Sequence, residues 1–164
     1  MTYPPARYHG ITGEVTATYR PNDTAPELVY PANGTKVSYL SSGDSTGGLF
    51  GLYRWECGPG VTGPDPHFHR SIAESFYILS GSMRIYTGKE WIDTEPGDYV
   101  HVPIGGIHAF KNESGAPASM LLHFSPGAPR EAYFEGLVRV AQMSDEERAE
   151  FYLKHDNVWL DDKH

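Results

Sequence analysis

The sequence predicts an all-β protein built on one barrel or sandwich, followed by two short C-terminal helices. Between residues 35 and 125, short segments rich in aromatic and β-branched residues alternate with Gly- and Pro-rich turns, which is typical of antiparallel β architectures. Apolar residues at helical spacing appear after Pro129. The length of 164 residues fits a single domain. We find no internal repeat and no Gly-rich loop leading into a helix, so solenoid, P-loop and dinucleotide-binding folds are not expected.

The chain divides into three parts of that one domain. Residues 1–34 are rich in Pro and lack helical periodicity, so we expect an extended N-terminal arm with one edge strand. Residues 35–128 carry the strand pattern and should form the barrel. Within it, the Ser80-Gly81 turn predicts a hairpin between strands at 74–79 and 82–87.

Residues 129–164 should form a helical tail. Apolar side chains of the segment REAYFEGLVRVA recur at near-helical spacing. A second helix should begin at Ser144, because Glu147 three residues later completes a capping-box signature. The last nine residues, DNVWLDDKH, are expected to be irregular.

Composition excludes several classes of function. The formal net charge of −8 argues against a nucleic-acid partner and against docking on anionic lipid. The sequence has no apolar run long enough for a membrane span and no apolar stretch near its start, so we expect a soluble, cytoplasmic protein. A single Cys rules out an internal disulfide framework and a four-Cys zinc site. Any metal must therefore be held by carboxylates and by some of the eight His.

Four residues between positions 60 and 112 form a candidate metal site. His67 and His69 lie two apart, so on a strand they face the same side and can reach one ion. Glu74 follows after a four-residue link that can turn the chain back toward them, and His108 follows a Pro- and Gly-rich turn. Imidazole and carboxylate suit Zn, Fe, Mn, Ni or Co, and this ligand set does not select among them.

The remaining His and the Cys have simpler interpretations. His101 and His123 on predicted strands should be structural, with a position facing the cavity as the alternative for His101. His9, His155 and His164 near the termini should be solvated. Cys57 should be a small buried strand residue.

Two stretches of the sequence resemble the cupin signature. Residues 67–81 read HFHRSIAESFYILSG, or H-x-H-x4-E-x6-G, and residues 97–112 read GDYVHVPIGGIHAFKN, or G-x5-P-x-G-x2-H-x3-N. The second half matches at every defined position. The first half departs once, because Val61 stands where the pattern places Gly, six positions before the first His. That difference affects the loop beside the expected site rather than the ligands.

The resemblance implies a double-stranded β-helix (jelly-roll, or cupin) barrel with one divalent transition metal bound by His67, His69, Glu74 and His108. A metal-free cupin and a purely structural zinc site are the simpler alternatives. The segment SPGAPREAYFEGL and the helix after it also resemble the tail of quercetin dioxygenase-like cupins, more loosely. That second likeness suggests that Glu74 acts both as a ligand and as a catalytic general base.

Three functions follow as hypotheses. We favour a dioxygenase acting on a small enolisable or aromatic oxygenated substrate. The alternatives are a non-redox metal-dependent cyclase, isomerase or lyase, similar to polyketide cyclases, and a non-catalytic small-molecule-binding cupin; a fold alone does not decide among them. We also expect a homodimer in which the N-terminal arm or an outer sheet covers a partner's edge strand.

Overall fold

The computed structural model describes residues 1–160, and antiparallel strands dominate it. His164 lies outside the described residues. The strands are β1 (Leu28–Val29), β2 (Lys36–Ser41), β3 (Gly51–Cys57), β4 (His67–Phe68), β5 (Ala73–Ser80), β6 (Arg84–Tyr86), β7 (Trp91–Asp93), β8 (Tyr99–Val102), β9 (Ala109–Lys111), β10 (Ala118–Ser125) and β11 (Val158–Trp159). The helices are α1 (Arg130–Gly136), a 3₁₀ segment (Leu137–Gln142) and α2 (Asp145–Lys154). The expected all-β fold with two short C-terminal helices is confirmed.

The strands form two layers. One layer is a six-stranded sheet in the order β1-β2-β3-β10-β5-β8, and the other contains β7-β6-β9 and the pair β11-β4. Reciprocal backbone hydrogen bonds between His67 and His108, both 2.9 Å, join the pair β11-β4 to the chain entering β9. The expected edge strand is β1, and residues 1–27 before it contain no helix or strand.

The predicted hairpin between 74–79 and 82–87 is wrong. Both edges of β5 are already occupied, by β10 on one side and β8 on the other, so no edge remains for β6. The chain instead turns at Gly81 and crosses to the second layer, where β6 pairs with β7 and β9. Gly81 has a φ of 70°, and a Cβ there would lie 2.4 Å from the carbonyl oxygen of Pro117. Only glycine fits this turn without strain.

The core lies between the two layers. Buried and partly buried residues alternate along β3 and β10, as expected for strands with one face on the core. Tyr53 is central: its ring packs edge-on against Phe134, with centroids 5.1 Å apart, and lies 5.8 Å from the ring of Phe124. Helix α1 therefore seals the sheet with its aromatic residues.

The C-terminal tail differs from expectation at two points. The α-helix that starts at Arg130 tightens into the 3₁₀ segment after Gly136, which leaves Val138 exposed. Within the end that was predicted to be irregular, Val158 and Trp159 instead form β11, which pairs with β4 and places Trp159 opposite His67. The last four residues of that segment lie outside the described residues. The capping box at Ser144 is confirmed, because its hydroxyl accepts from the backbone N–H of Glu147.

Candidate metal centre

The two layers bring the four predicted ligands together. His67 and His108 lie directly opposite each other in the second layer, since each donates its backbone N–H to the other's carbonyl oxygen. Glu74 points inward from β5 in the facing sheet. His69 follows β4 on the link between the layers. The site therefore lies inside the barrel, between the sheets.

The ligand atoms of these residues converge on one point. One ligand atom from each lies within 4.8 Å of all the others, and all four residues are buried. The Oε2 atom of Glu74 is 3.2 Å from Nε2 of His69 and 2.9 Å from Nε2 of His108. The rings of His67 and His108 are 4.4 Å apart between centroids.

Backbone carbonyls fix the same orientation in all three imidazoles. The Nδ1 atom of His67 lies 2.9 Å from the carbonyl oxygen of Asp65, and that of His108 lies 3.0 Å from the carbonyl of Gly106. The Nδ1 atom of His69 lies 2.6 Å from the carbonyl of Asp156. A carbonyl oxygen can only accept, so each Nδ1 carries a proton and each Nε2 faces the centre. This is the arrangement that metal-binding His residues use.

The electrostatics favour a neutral His67 beside an ionised Glu74. Burial, together with the neighbouring His108 and His69, lowers the pKa of His67 to about 3. Burial alone would raise the pKa of Glu74, but the hydrogen bonds from His108 and His69 outweigh it and hold that pKa well below its usual range. Burial works against protonation of His108, yet its hydrogen bond to Glu74 raises its pKa.

This donor set fits a divalent transition metal. Three imidazole nitrogens and one carboxylate oxygen suit Zn, Fe, Mn, Ni or Co. Because the cluster is buried, water screens the negative charge of Glu74 only weakly, so that charge would attract a cation strongly. The cluster could thus hold one metal ion, whose identity the donor set leaves open.

The cluster opens into a cavity of about 330 Å³, near the lower end of the roughly 300–1,000 Å³ of small-molecule sites. Glu74 and His67 are among the residues that line it. Most of the remaining wall is apolar or aromatic: Tyr30, Trp55, Phe110, Leu122, Phe124, Phe134, Leu137, Tyr152 and Trp159. Such a cavity suits a small, flat, largely apolar molecule.

The sequence patterns gave no sign that the C-terminal tail builds part of this site. Arg130 and Tyr133 of α1 line the cavity. Asn157 accepts from Arg130 and donates to Tyr133. The ring of Trp159 packs 5.1 Å from that of His67. These contacts join positions far apart in the chain, and no local motif reports them.

The other predicted residues lie away from the centre. His101 is exposed, with Nδ1 3.0 Å from the Ser75 hydroxyl, and His123 stacks on Phe50 on the same outer face. His9 is exposed as expected. The prediction that His155 is solvated is wrong, because this residue is half-buried and its ring centroid lies 4.8 Å from that of Phe151. Cys57 is buried, as predicted.

Comparison with known proteins identifies the class. A family model described as "Cupin domain" matches residues 53–124, which include all four candidate ligands. Residues 53–124, less than half of the chain, therefore match a cupin domain. Among the described residues, no helix combines the length and apolar character needed to cross a membrane.

Two curated relatives and one solved structure illustrate the similarity. The chain is 38% identical over 48 residues to quercetin 2,3-dioxygenase of Bacillus subtilis (strain 168), which is 29% of this chain and 14% of that protein. It is 29% identical over 90 residues to tetracenomycin polyketide synthase protein TcmJ of Streptomyces glaucescens, 55% of this chain and 58% of that protein. Each match spans less than two thirds of the relative.

The structural similarity concerns the fold alone. The crystal structure of a predicted oxalate decarboxylase from Thermotoga maritima superposes with a TM-score of 0.52 at 19% identity. The match covers 56% of this chain and 80% of that chain. It supports the double-stranded β-helix without indicating a substrate.

Proposed function

We propose that this cupin is a metal-dependent dioxygenase that acts on a small enolisable or aromatic oxygenated substrate. The observation that carries the proposal is the buried cluster of three imidazoles and one carboxylate, two of whose members line an aromatic cavity. The similarity to quercetin 2,3-dioxygenase supports it, although that match covers 14% of the relative.

Different residues of the site would have different roles. His67, His69 and His108 would hold the metal through Nε2, and Glu74 through its carboxylate. A bound divalent transition metal would supply Lewis acidity toward the substrate's oxygens and, if redox-active, a site for electron exchange. The ionised carboxylate of Glu74 faces the cavity and can accept a hydroxyl proton from the substrate. The aromatic walls would orient a flat substrate and exclude water.

A non-redox reaction is the second candidate. The similarity to TcmJ covers 55% of this chain, a larger share than the dioxygenase match. In that case the same site would polarise a carbonyl group, and Glu74 would move a proton without oxygen being consumed. The expected homodimer and cytoplasmic location stay predictions under either function.

An oxygen-electrode assay separates the candidates. The protein is stripped of metal and reloaded separately with Fe(II), Mn(II), Ni(II), Co(II) or Zn(II), then incubated with a flavonol, a catechol and a β-diketone. If the protein is a dioxygenase, we expect oxygen uptake that matches the loss of substrate. This uptake should be abolished in Glu74→Ala and retained in the control His101→Ala, which alters an imidazole on the outer face. Product formation under strict anaerobiosis would favour the second candidate, and binding without turnover would contradict both.

A further inference from the structure

Arg130 is a buried cation that no carboxylate neutralises directly. It is 4% exposed, and none of the ion pairs within residues 1–160 includes it. Aromatic faces surround its guanidinium, with Cζ 4.2 Å from the ring centroid of Tyr133 and 4.9 Å from that of Phe124. A charge buried in this way is costly unless something compensates it, and Arg130 lines the same cavity as Glu74.

The hydrogen bonds of Arg130 leave one edge of its guanidinium unused. Nη1 donates to the carbonyl of His155 at 2.8 Å and to Oδ1 of Asn157 at 3.2 Å, and Nη2 donates to the same Oδ1 at 3.2 Å. The Nε–H has no acceptor within the described part of the chain. That N–H and the second N–H of Nη2 lie side by side, the pair that binds a carboxylate through two parallel hydrogen bonds.

Tyr133 adds a further hydrogen-bond donor beside Arg130. Its hydroxyl oxygen accepts from Nδ2 of Asn157 at 3.0 Å, and residues 1–160 offer no acceptor for its proton. Asn157 thus links the two residues, taking hydrogen bonds from Arg130 on one side and giving one to Tyr133 on the other. Both side chains line the same cavity as Glu74 and His67.

We propose that Arg130 and Tyr133 form a subsite for an anionic oxygen group, and that they select substrates carrying a carboxylate or comparable anion. This inference rests on the proposed function and narrows its substrate class to small aromatic or enolic acids. One end of such a molecule would face the metal cluster, while its carboxylate accepts from the free guanidinium edge and from the Tyr133 hydroxyl. The aromatic residues that line the cavity would hold the ring of the substrate.

The test compares an acid with its uncharged isostere. The probes are 3,4-dihydroxybenzoate and 3,4-dihydroxybenzamide, titrated calorimetrically into the Zn-loaded and the metal-free protein. We expect the acid to bind the Zn-loaded wild type at least about tenfold more tightly than the amide does, because its carboxylate can form a charge-assisted, bidentate pair of hydrogen bonds with Arg130. Equal affinities, or no binding of the acid, would overturn the subsite.

Substitutions separate recognition from a structural role. Arg130→Gln should bring the ratio of the acid's affinity to the amide's affinity close to one, while the Kd of the amide changes by less than about twofold. Tyr133→Phe, a milder change, should lower the ratio several-fold. Arg84→Gln removes a guanidinium that packs on Trp91 at the surface and should leave the ratio unchanged. A purely structural Arg130 would weaken both probes equally, which contradicts the proposal.

The outcomes also separate this subsite from the proposed function. A preference for the acid in both the Zn-loaded and metal-free protein, with no turnover of any substrate, would support the subsite and refute the enzyme. Oxygen uptake with neutral catechols, with no preference for the acid, would support the enzyme and refute the subsite.

Discussion

Removing the side chain of Asp156 should loosen the C-terminal tail and weaken metal binding together. Its carboxylate accepts from the backbone N–H of Arg70 at 2.9 Å, and from the backbone N–H and hydroxyl of Ser71 at 2.8 and 2.6 Å. Its carbonyl oxygen faces Nδ1 of His69. Asp156 also has a φ of 56°, in the left-handed region. One residue therefore ties the tail to the link that carries a candidate ligand.

The size of the effect follows from these contacts. Hydrogen bonds to a charged group contribute roughly 1.5–3 kcal/mol each when buried, and less here because water can replace the carboxylate at these partly exposed donors. We expect Asp156→Gly, which keeps the left-handed backbone accessible, to lower the free energy of unfolding by about 2 kcal/mol. Asp156→Ala should cost about 1 kcal/mol more, because its Cβ disfavours that conformation.

Calorimetry and metal titration check both consequences. For a chain of this size, about 2 kcal/mol corresponds to a fall of roughly 4–8 °C in Tm. The backbone carbonyl of residue 156 remains in both variants, but a loosened tail should hold it less firmly against Nδ1 of His69, so metal binding should weaken by about tenfold. Asp23→Ala, an exposed position in the N-terminal arm, is the control and should change neither. If the glycine and alanine variants melt and bind metal like the wild type, the Asp156 carboxylate does not hold the tail in place.

Three further predictions concern pH, backbone space and thiol reactivity. Burial raises the pKa of Asp156, but the hydrogen bonds from Ser71 and Arg70 outweigh it and lower the pKa, so the carboxylate's stabilisation is present above an unfolded-state pKa of about 3.9. The stability gap between wild type and Asp156→Asn, measured by urea unfolding, should therefore shrink as the pH falls below about 4, and a gap that widens would contradict this. Gly63→Ala should cost about 2 kcal/mol or more, because its Cβ would lie 1.8 Å from the carbonyl oxygen of Phe110, whereas Gly60 has open space. Equal melting temperatures for Gly63→Ala and Gly60→Ala would refute that. Burial raises the pKa of the Cys57 thiol to about 11, so a disulfide reagent at pH 8 should modify it only after unfolding.

The candidate ligands could be predicted from the sequence because their spacing obeys local rules. His67 and His69 share a strand face at a separation of two, and the short link to Glu74 limits where the next strand can place it. Turn residues before His108 bring that strand back across the barrel. These constraints act over a few residues each, so a single sequence contains them.

The part of the site that the C-terminal tail contributes could not be predicted in the same way. Arg is seldom fully buried unless it is paired, so Arg130 at the start of a helical pattern gives no sign of lining a cavity. The contact of Asp156 with His69 spans 87 positions along the chain, and the pairing of Trp159 with His67 spans a similar distance. The wrong hairpin has the same origin, because only the tertiary arrangement shows that both edges of β5 are occupied.

The metal content of the purified protein shows whether the four inner residues bind a metal ion. The wild type and two double variants are stripped with chelator, reloaded with a divalent transition metal, desalted and analysed by mass spectrometry for metal per chain. We expect about one ion per chain in the wild type and in His101→Ala/His123→Ala, and loss of that ion in His67→Ala/His108→Ala. A wild type that retains no metal, or an inner-site variant that retains as much as the wild type, would contradict this expectation.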